Sequence, residues 1–422
     1  MFQAPRGTAD ILPDDQPYWQ YVATAAQTLS ELYGYRRIDT PIFESTSLFI
    51  RGVGEVTDIV EKEMYSFRDR GGDELTLRPE ATAAIARAYL QHGMRNLPQP
   101  VKLYTIGPFF RYDRPQAGRY RQFHQFNYEA LGEADPALDV EIIEMAWRFY
   151  ERLGLRDLTI QVNSIGDPTC RPHYVEHLRR YYADHIDDIC PDCRLRLGRS
   201  PLRLLDCKNP SCQPIIEAAP RSIDFLCRQC ADHFSRLMTY LGRLELPVKL
   251  NHRLVRGLDY YTRTVFEVWP PEVGAQASLG GGGRYDGLIE ELDGPPTPGI
   301  GFATGIERIV LSLKRQGIAV PMTPPPSVYV AYLGEEPRLR TVTLLAEIRR
   351  AGIPAVGSYG ERSLKAQLRH ADSLNVPLAL ILGEAELSAG TIILRNMARA
   401  EQREIPLDKV VEAIRSELSA CC

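Results

Sequence analysis

Four arginines, Arg111, Arg114, Arg119 and Arg121, fall within eleven residues of the segment FRYDRPQAGRYR, where Pro115 and Gly118 mark a turn. A solvated hairpin tip is the ordinary reading of so much charge in a loop. The flanks argue for more, because aromatic, alternating segments stand on both sides, and Phe123, Gln125 and Glu129 follow on the second. Arginine donates in pairs from a planar fork and stays charged, which is the chemistry that holding a phosphate requires. Arg111, at the end of a strand, is placed to hold one phosphate while the basic loop closes over others.

Four further segments carry candidate chemistry. Glu80 and Thr82 stand two residues apart in LRPEAT, where a helix is expected to open and run to about His92. An acid in a first turn is ordinary capping, but a carboxylate and a hydroxyl so close could also hold an ammonium group. LVRGLDYYTRTVFE, 254–267, sets Arg256 before a glycine, then Asp259 and the pair Tyr260 and Tyr261. Adjacent residues of a strand face opposite sides, so one tyrosine is expected to line a site and the other to pack. SLGGGGRYDGL, 278–288, carries four successive glycines and Tyr285. Such a run is unfavourable in a strand and signals close approach of backbone or ligand. It is no Walker loop, since no Gly-Lys-Ser/Thr follows. GIGFATG, 299–305, has the wrong spacing for a dinucleotide fingerprint and reads as a strand entering a helix that bears Glu307 and Arg308.

Cysteines form a separate pattern. CPDC and DCKNPSC place Cys190, Cys193, Cys207 and Cys212 at a spacing that structural zinc sites use, and CRQC adds Cys227 and Cys230. Reduced thiols are the other reading. Disulfides are not expected in a long chain whose start, MFQAPRGTADILPDD, shows no secretion signal. The pair Cys421 and Cys422 fits no prenylation motif.

These residues sit in a chain of 422, long enough for two or three domains, with 44% hydrophobic and 25% charged residues as in ordinary soluble globular proteins. A net charge of −4 and a pI near 6.1 exclude a general nucleic-acid binder, so any RNA contact must rest on local clusters. No stretch approaches the roughly 18 apolar residues of a membrane helix, and a cytoplasmic, membrane-free protein is expected.

The clearest break is PMTPPPS, 321–327, where prolines can continue neither a helix nor a central strand. Beyond it, strands at VYVAYL, 353–356, LALILG and TIILRN alternate with helices near 341–351, 363–374 and 408–418, an α/β unit of about 95 residues. Before it, KLYTIGPFFRY, QFNYEALG, DLTIQVNSIG and TVFEVW read as strands of an antiparallel sheet in an α+β fold. The stretch 168–248 turns helical and cysteine-bearing, as an insertion would.

Taken together, FRYDRP…GRYRQFHQFNYE resembles the arginine-bearing motif 2 of the class II aminoacyl-tRNA synthetases, and GIGFATGIERIVL resembles their motif 3. Thr40-Pro41-Ile42-Phe43-Glu44 resembles motif 1, which builds the family's dimer interface. LVRGLDYYTRTVFE and SLGGGGRYDGL resemble the two signatures of the histidine-specific members. The likeness extends through RGTADILPDD, EKEMYSF and GERSLKAQLRHAD, so it covers nearly the whole chain. Ala81, where glycine is common, Asp113, where glutamate is, and the loose match at MARAEQREI are departures.

The resemblance implies a class II catalytic domain over 1–320 with its insertion at about 168–248, a linker at 321–327, and an anticodon-binding α/β domain over 328–422. It implies a homodimer that uses histidine, ATP with Mg²⁺, and histidine tRNA. Arg111 would bind the α-phosphate and Arg308 the γ-phosphate, with Arg119 closing from the loop and Phe123 stacking on adenine. Glu80, Thr82 and Gln125 would hold the amino and carboxylate ends of histidine. Glu129 and Tyr261 would bond the imidazole nitrogens, with Tyr260 and Tyr285 in the same pocket. Arg256 would face both the substrate carboxylate and the α-phosphate. The family's chemistry uses no zinc, which makes free thiols the expectation for the four insertion cysteines. A synthetase-like regulatory subunit of ATP phosphoribosyltransferase, binding histidine without charging tRNA, is the alternative function.

Overall fold

The computed structural model describes residues 2–54, 57–116, 118–271 and 278–420, which form two units, Met1–Pro321 and Met322–Cys422. Alternation along one long hairpin organises the first. Val101–Phe110 and Gln122–Leu131 pair antiparallel from Val101↔Leu131 to Phe110↔Gln122, with the arginine loop at the tip. Side chains of a strand alternate between faces. Phe126, Tyr128 and Ala130 therefore pack into a core beneath helices Gln16–Leu32, Pro136–Arg152, Arg228–Arg243 and Ile306–Arg315. Gln125, Asn127 and Glu129 face the other way, into a cavity.

The hairpin is part of an eight-stranded sheet. From one edge the order is Arg36–Arg37, Val101–Phe110, Gln122–Leu131, Gly299–Gly305, Gly280–Arg284, Thr262–Trp269, Thr159–Ser164 and Val248–Leu250. The six central strands are antiparallel, as expected, and only the two edge pairs are parallel. The glycine run is the strand Gly280–Arg284. A side chain at Gly282 would strike the carbonyl of Gly301 on the neighbouring strand, so the two backbones approach as only glycine permits.

Arg284, at the end of that strand, is completely buried and donates from Nε to Asp139 Oδ1 at 2.7 Å. His233 Nε2 lies 2.9 Å from the other oxygen of Asp139. Removing one partner leaves a buried charge uncompensated. Asp139→Ala is expected to destabilise the protein by about 3–5 kcal/mol, read from urea unfolding monitored by circular dichroism. A loss below about 1 kcal/mol contradicts that role.

Between Thr159–Ser164 and Val248–Leu250 run the helices Arg171–Ala183, Pro191–Arg199, Gln213–Glu217 and Arg228–Arg243. Cys190, Cys193, Cys207 and Cys212 join Leu178, Ile216 and Tyr261 in a core on the cavity side of the sheet.

The second unit holds a five-stranded sheet in the order Ala355–Gly357, Val328–Tyr332, Leu378–Leu382, Thr391–Asn396 and Gln402–Pro406, parallel across the first three strands and antiparallel after them. Three details differ from the sequence reading. The helix expected near 341 opens at Glu335, directly after Gly334 and with two acids and a proline in its first turn. The strand expected from Ile353 starts at Ala355, past Pro354, which has no N–H to pair. Glu384–Ala389 is a short helix and QREIP an outer strand, too polar to signal itself by hydrophobic pattern.

Candidate active site

A cavity of about 940 Å³ opens on the sheet face away from the main helices. All twelve candidate site residues line it: Glu80, Thr82, Arg111, Arg119, Phe123, Gln125, Glu129, Arg256, Tyr260, Tyr261, Tyr285 and Arg308. They come from the strand Gln122–Leu131, from the first turns of helices Thr82–Gln91 and Ile306–Arg315, and from turns at the strand ends, so the fold alone assembles them. Arg114 and Arg121 are not among them. Arg121 instead stacks over the Tyr112 ring at 3.7 Å and serves the loop's own packing.

One end of the cavity is built for a small polar molecule. Glu129 is buried, and it accepts hydrogen bonds from Tyr285 Oη at 2.6 Å and Thr82 Oγ1 at 2.8 Å. Burial pushes its carboxyl up to about 8, against the pull of those two donors. Glu80 accepts from the backbone N–H of Thr82 at 2.7 Å and of Ala83 at 2.8 Å, capping the helix Thr82–Gln91. It therefore both fixes the helix start and presents a buried carboxylate to the cavity. Gln125 Oε1 and Asn127 Nδ2 are buried among the described residues without a hydrogen-bond partner. Buried polar atoms left open in a cavity are ready to meet a ligand's donors and acceptors.

Both tyrosines of the YY pair face this end, which corrects the expectation that one would line and the other pack. The strand begins only at Thr262, so Tyr260 and Tyr261 lie in the turn before it and escape the alternation rule. Their ring centroids are 4.7 Å apart, and Tyr285 meets Tyr260 edge-on at 5.7 Å. A side chain at Gly301 would collide with the Glu129 carboxylate, so glycine there opens the space that Glu129 occupies.

The other end is cationic. Arg111 Nε donates to the carbonyl of Pro79 at 2.8 Å, which aims its guanidinium, and its carbon sits 5.4 Å over the Phe123 ring. Arg308 donates from Nε to the carbonyl of Gly118 at 3.2 Å and from Nη1 to that of Ser278 at 2.6 Å. Burial, then the neighbouring Arg119 charge, pushes the Arg308 guanidinium below its ordinary range. Arg119 pairs with Asp113 across the loop at 3.0 Å. Clustered cations that cost one another stability are relieved by a polyanion, as a triphosphate would be.

Arg256 stands between the two ends. It ion-pairs with Glu267 and lies 5.7 Å over the Tyr261 ring. Burial works against its charge, but Glu267 and the tyrosine oxygens more than offset this and hold the guanidinium above its ordinary range. Its Nε is buried without a partner among the described residues, a donor left open for an anion. A side chain at Gly281, the residue paired with Glu267, would come within 2.7 Å of Arg256 Nη1. The glycine run therefore makes room for this arginine.

Sequence reasoning missed Glu267 and Glu307. Glu267 closes the same segment as Arg256, and a lone acid on an apolar strand was its signal. Glu307 accepts from the backbone N–H of His124 at 2.8 Å, tying the start of helix Ile306–Arg315 to the hairpin. Arg203, Asp206, Lys208 and Gln213 also line the cavity. Nothing in their local sequence pointed there.

With the geometry in place, comparison decides the family. The histidyl-tRNA synthetase family model matches residues 7–166 and 216–309, well over half the chain, and an anticodon-binding domain model matches 327–417. The chain belongs to the histidyl-tRNA synthetase family. It is similar to the histidine–tRNA ligase of Dehalococcoides mccartyi, 58% identical over 99% of this chain and 100% of that one. The histidine–tRNA ligase of Desulforamulus reducens is 51% identical over 98% of each. Among solved structures, the apo histidyl-tRNA synthetase of S. aureus superposes with a TM-score of 0.82 at 39% identity, covering 98% of this chain and all of that one. These full-length matches support the synthetase over the regulatory-subunit alternative.

Proposed function

We propose that the protein activates histidine with ATP to histidyl-adenylate and transfers the histidyl group to the 3′ end of histidine tRNA. One observation carries the reading: Arg256, with its open Nε, lies between a cation-lined end and a polar pocket built around Glu129. The histidine carboxylate attacks the α-phosphate in line, forming the P–O bond of the adenylate as the bond to pyrophosphate breaks. Two anions must meet, so the fixed guanidinium groups of Arg111 and Arg256 offset their repulsion and the charge that develops. No general base is required, because the attacking carboxylate is already ionised near neutral pH. A ribose hydroxyl at the tRNA 3′ end then attacks the adenylate carbonyl, and AMP leaves.

Within this reading Arg308 and Arg119 hold the outer phosphates and Phe123 stacks on adenine. Glu80, Thr82 and Gln125 hold the amino and carboxylate ends of histidine, and Glu129 and Tyr261 take the imidazole nitrogens. Glu267 and Asp113, carboxylates in the cavity wall, would be the hard oxygen donors available to hold Mg²⁺, which would supply further charge neutralisation. Histidine-dependent exchange of pyrophosphate into ATP tests the first step, and exchange driven equally by other amino acids contradicts the substrate assignment.

The working unit of this reading is a cytoplasmic homodimer. Ile42 and Phe43 in the motif 1 stretch are exposed, and Phe67 pairs with Phe43 at 6.5 Å while itself exposed. Exposed apolar clusters of this kind mark interaction surfaces. Phe43→Asp is expected to shift the protein toward monomer in sedimentation, and an unchanged dimer removes Phe43 from the interface. In the same reading the second unit serves tRNA rather than activation. Truncation before Ser327 is expected to reduce tRNA charging far more than pyrophosphate exchange, and equal loss of both contradicts this division.

A further inference from the structure

Histidine activation leaves the sulfur chemistry of this chain unused. Every cysteine among the described residues belongs to one of two clusters. In the first, the ligand atoms of Cys190, Cys193, Cys207 and Cys212 all lie within 4.8 Å of one another, and all four residues are buried. In the second, Asp167, Cys170, Cys227 and Cys230 meet the same limit, with only Cys227 half-buried. The matched family blocks leave 167–215 between them, so the family assignment does not account for the first cluster.

The spacing is that of metal ligands. Cys190 and Cys207 sulfurs are 3.8 Å apart, and those of Cys193 and Cys212 are 4.0 Å apart. A disulfide requires about 2.0 Å. Zinc–sulfur bonds of about 2.3 Å in a tetrahedron put the sulfurs about 3.8 Å from one another. Thiols buried merely as small apolar groups have no reason to converge four at a time.

Local structure repeats between the clusters. Cys190 precedes helix Pro191–Arg199 with φ −66°, ψ 160°, and Cys227 precedes helix Arg228–Arg243 with φ −66°, ψ 164°. Cys193 and Cys230 follow in the first turns of the same helices. In the first cluster, the backbone N–H of Cys190 donates to Cys212 Sγ at 3.2 Å and that of Asn209 to Cys207 Sγ at 3.4 Å. Such bonds spread thiolate charge, as the outer partners of structural metal sites do.

We propose that this region binds two zinc ions, one held by the thiolates of Cys190, Cys193, Cys207 and Cys212, the other by Cys170, Cys227, Cys230 and the Asp167 carboxylate. On binding, each thiol releases its proton to solvent and donates an electron pair to the metal. Both sites brace the active cavity. Asp206, Lys208 and Gln213, interleaved with Cys207 and Cys212, line its wall. Arg171, next to Cys170, donates from Nη2 to the backbone carbonyl of Tyr261 at 2.5 Å. The zinc sites stand independently of which amino acid the cavity activates.

Metal analysis of the full-length wild-type chain, purified without chelator after dialysis against Zn²⁺, is expected to find about two zinc ions per chain. Cys193→Ser and Cys230→Ser should each retain one. Wild-type protein without bound zinc overturns the proposal, and a single zinc that Cys230→Ser leaves in place overturns the second site. Co²⁺ substitution of the wild-type chain needs no variant to fold. Tetrahedral bands with thiolate-to-metal charge transfer are expected, and an octahedral, oxygen-ligated spectrum contradicts the assignment.

Discussion

Arg256→Ala slows histidine-dependent ATP–pyrophosphate exchange by on the order of 10² or more, the scale for removing one preorganised donor of positive charge. The side chain is held by two neighbours, with room for it left by a third, before any substrate arrives. Glu267 pairs with its Nη1, the Tyr261 ring lies beneath it, and Gly281 leaves the space above it open. Its unused Nε donor is therefore already fixed where two anions are to meet. Alanine removes that donor but leaves Glu267 a partner, because Trp269 Nε1 donates to Oε2 at 2.8 Å. The fold is expected to survive, which the melting transition checks. Arg256→Lys keeps a charge but loses the planar fork, so it should fall between wild type and alanine. Near-normal exchange by the alanine variant removes Arg256 from the chemistry.

The second large effect centres on Glu129. Glu129→Gln keeps the volume but replaces an acceptor of two hydrogen bonds with an amide, one end of which only donates. Thr82, Tyr285 and an imidazole N–H then compete for one oxygen. Losing an acceptor for the imidazole N–H and leaving a buried donor unpaired lowers kcat/KM for histidine by on the order of 10²–10³, with a smaller effect on the KM for ATP. Equal changes for both substrates contradict placing Glu129 in the histidine pocket.

The same carboxyl gives a pH signature. Its value in the folded, empty protein is pushed up to about 8 by burial, well above that of an exposed glutamate. The folded state thus binds more protons than the unfolded state between these values. Stability from this group is greatest below the unfolded value and is lost as pH rises toward 8. Relative to wild type, Glu129→Gln should lack a fall of up to about 1.4 kcal/mol per pH unit across that window. Parallel stability curves for the two proteins contradict the buried, protonated state.

Much of this was legible in the sequence where chemistry and pattern agree. The alternation of QFHQFNYEAL both foretold a strand and divided Phe126 and Tyr128 from Gln125 and Glu129. The glycine run announced close backbone approach, and the structure adds its reason, room for Arg256 and for the neighbouring strand. What escaped was set by tertiary contact. The tyrosine pair misled because strand alternation holds only inside a strand, and the strand begins one residue later, at Thr262. The cavity-lining role of Arg203 and Lys208 depends on how 168–248 folds back over the sheet face, which no local pattern encodes. For the cysteines, spacing alone left thiols and zinc both open. Convergence of ligand atoms in space, including Asp167 and Cys170 from a distant turn, is visible only in three dimensions.

Charging of total tRNA with labelled histidine by the purified protein tests the central claim most directly. The expected result is ATP-dependent, acid-precipitable histidine that saturates at the fraction of acceptor belonging to histidine tRNA. Histidine bound to the protein with no label reaching tRNA contradicts it.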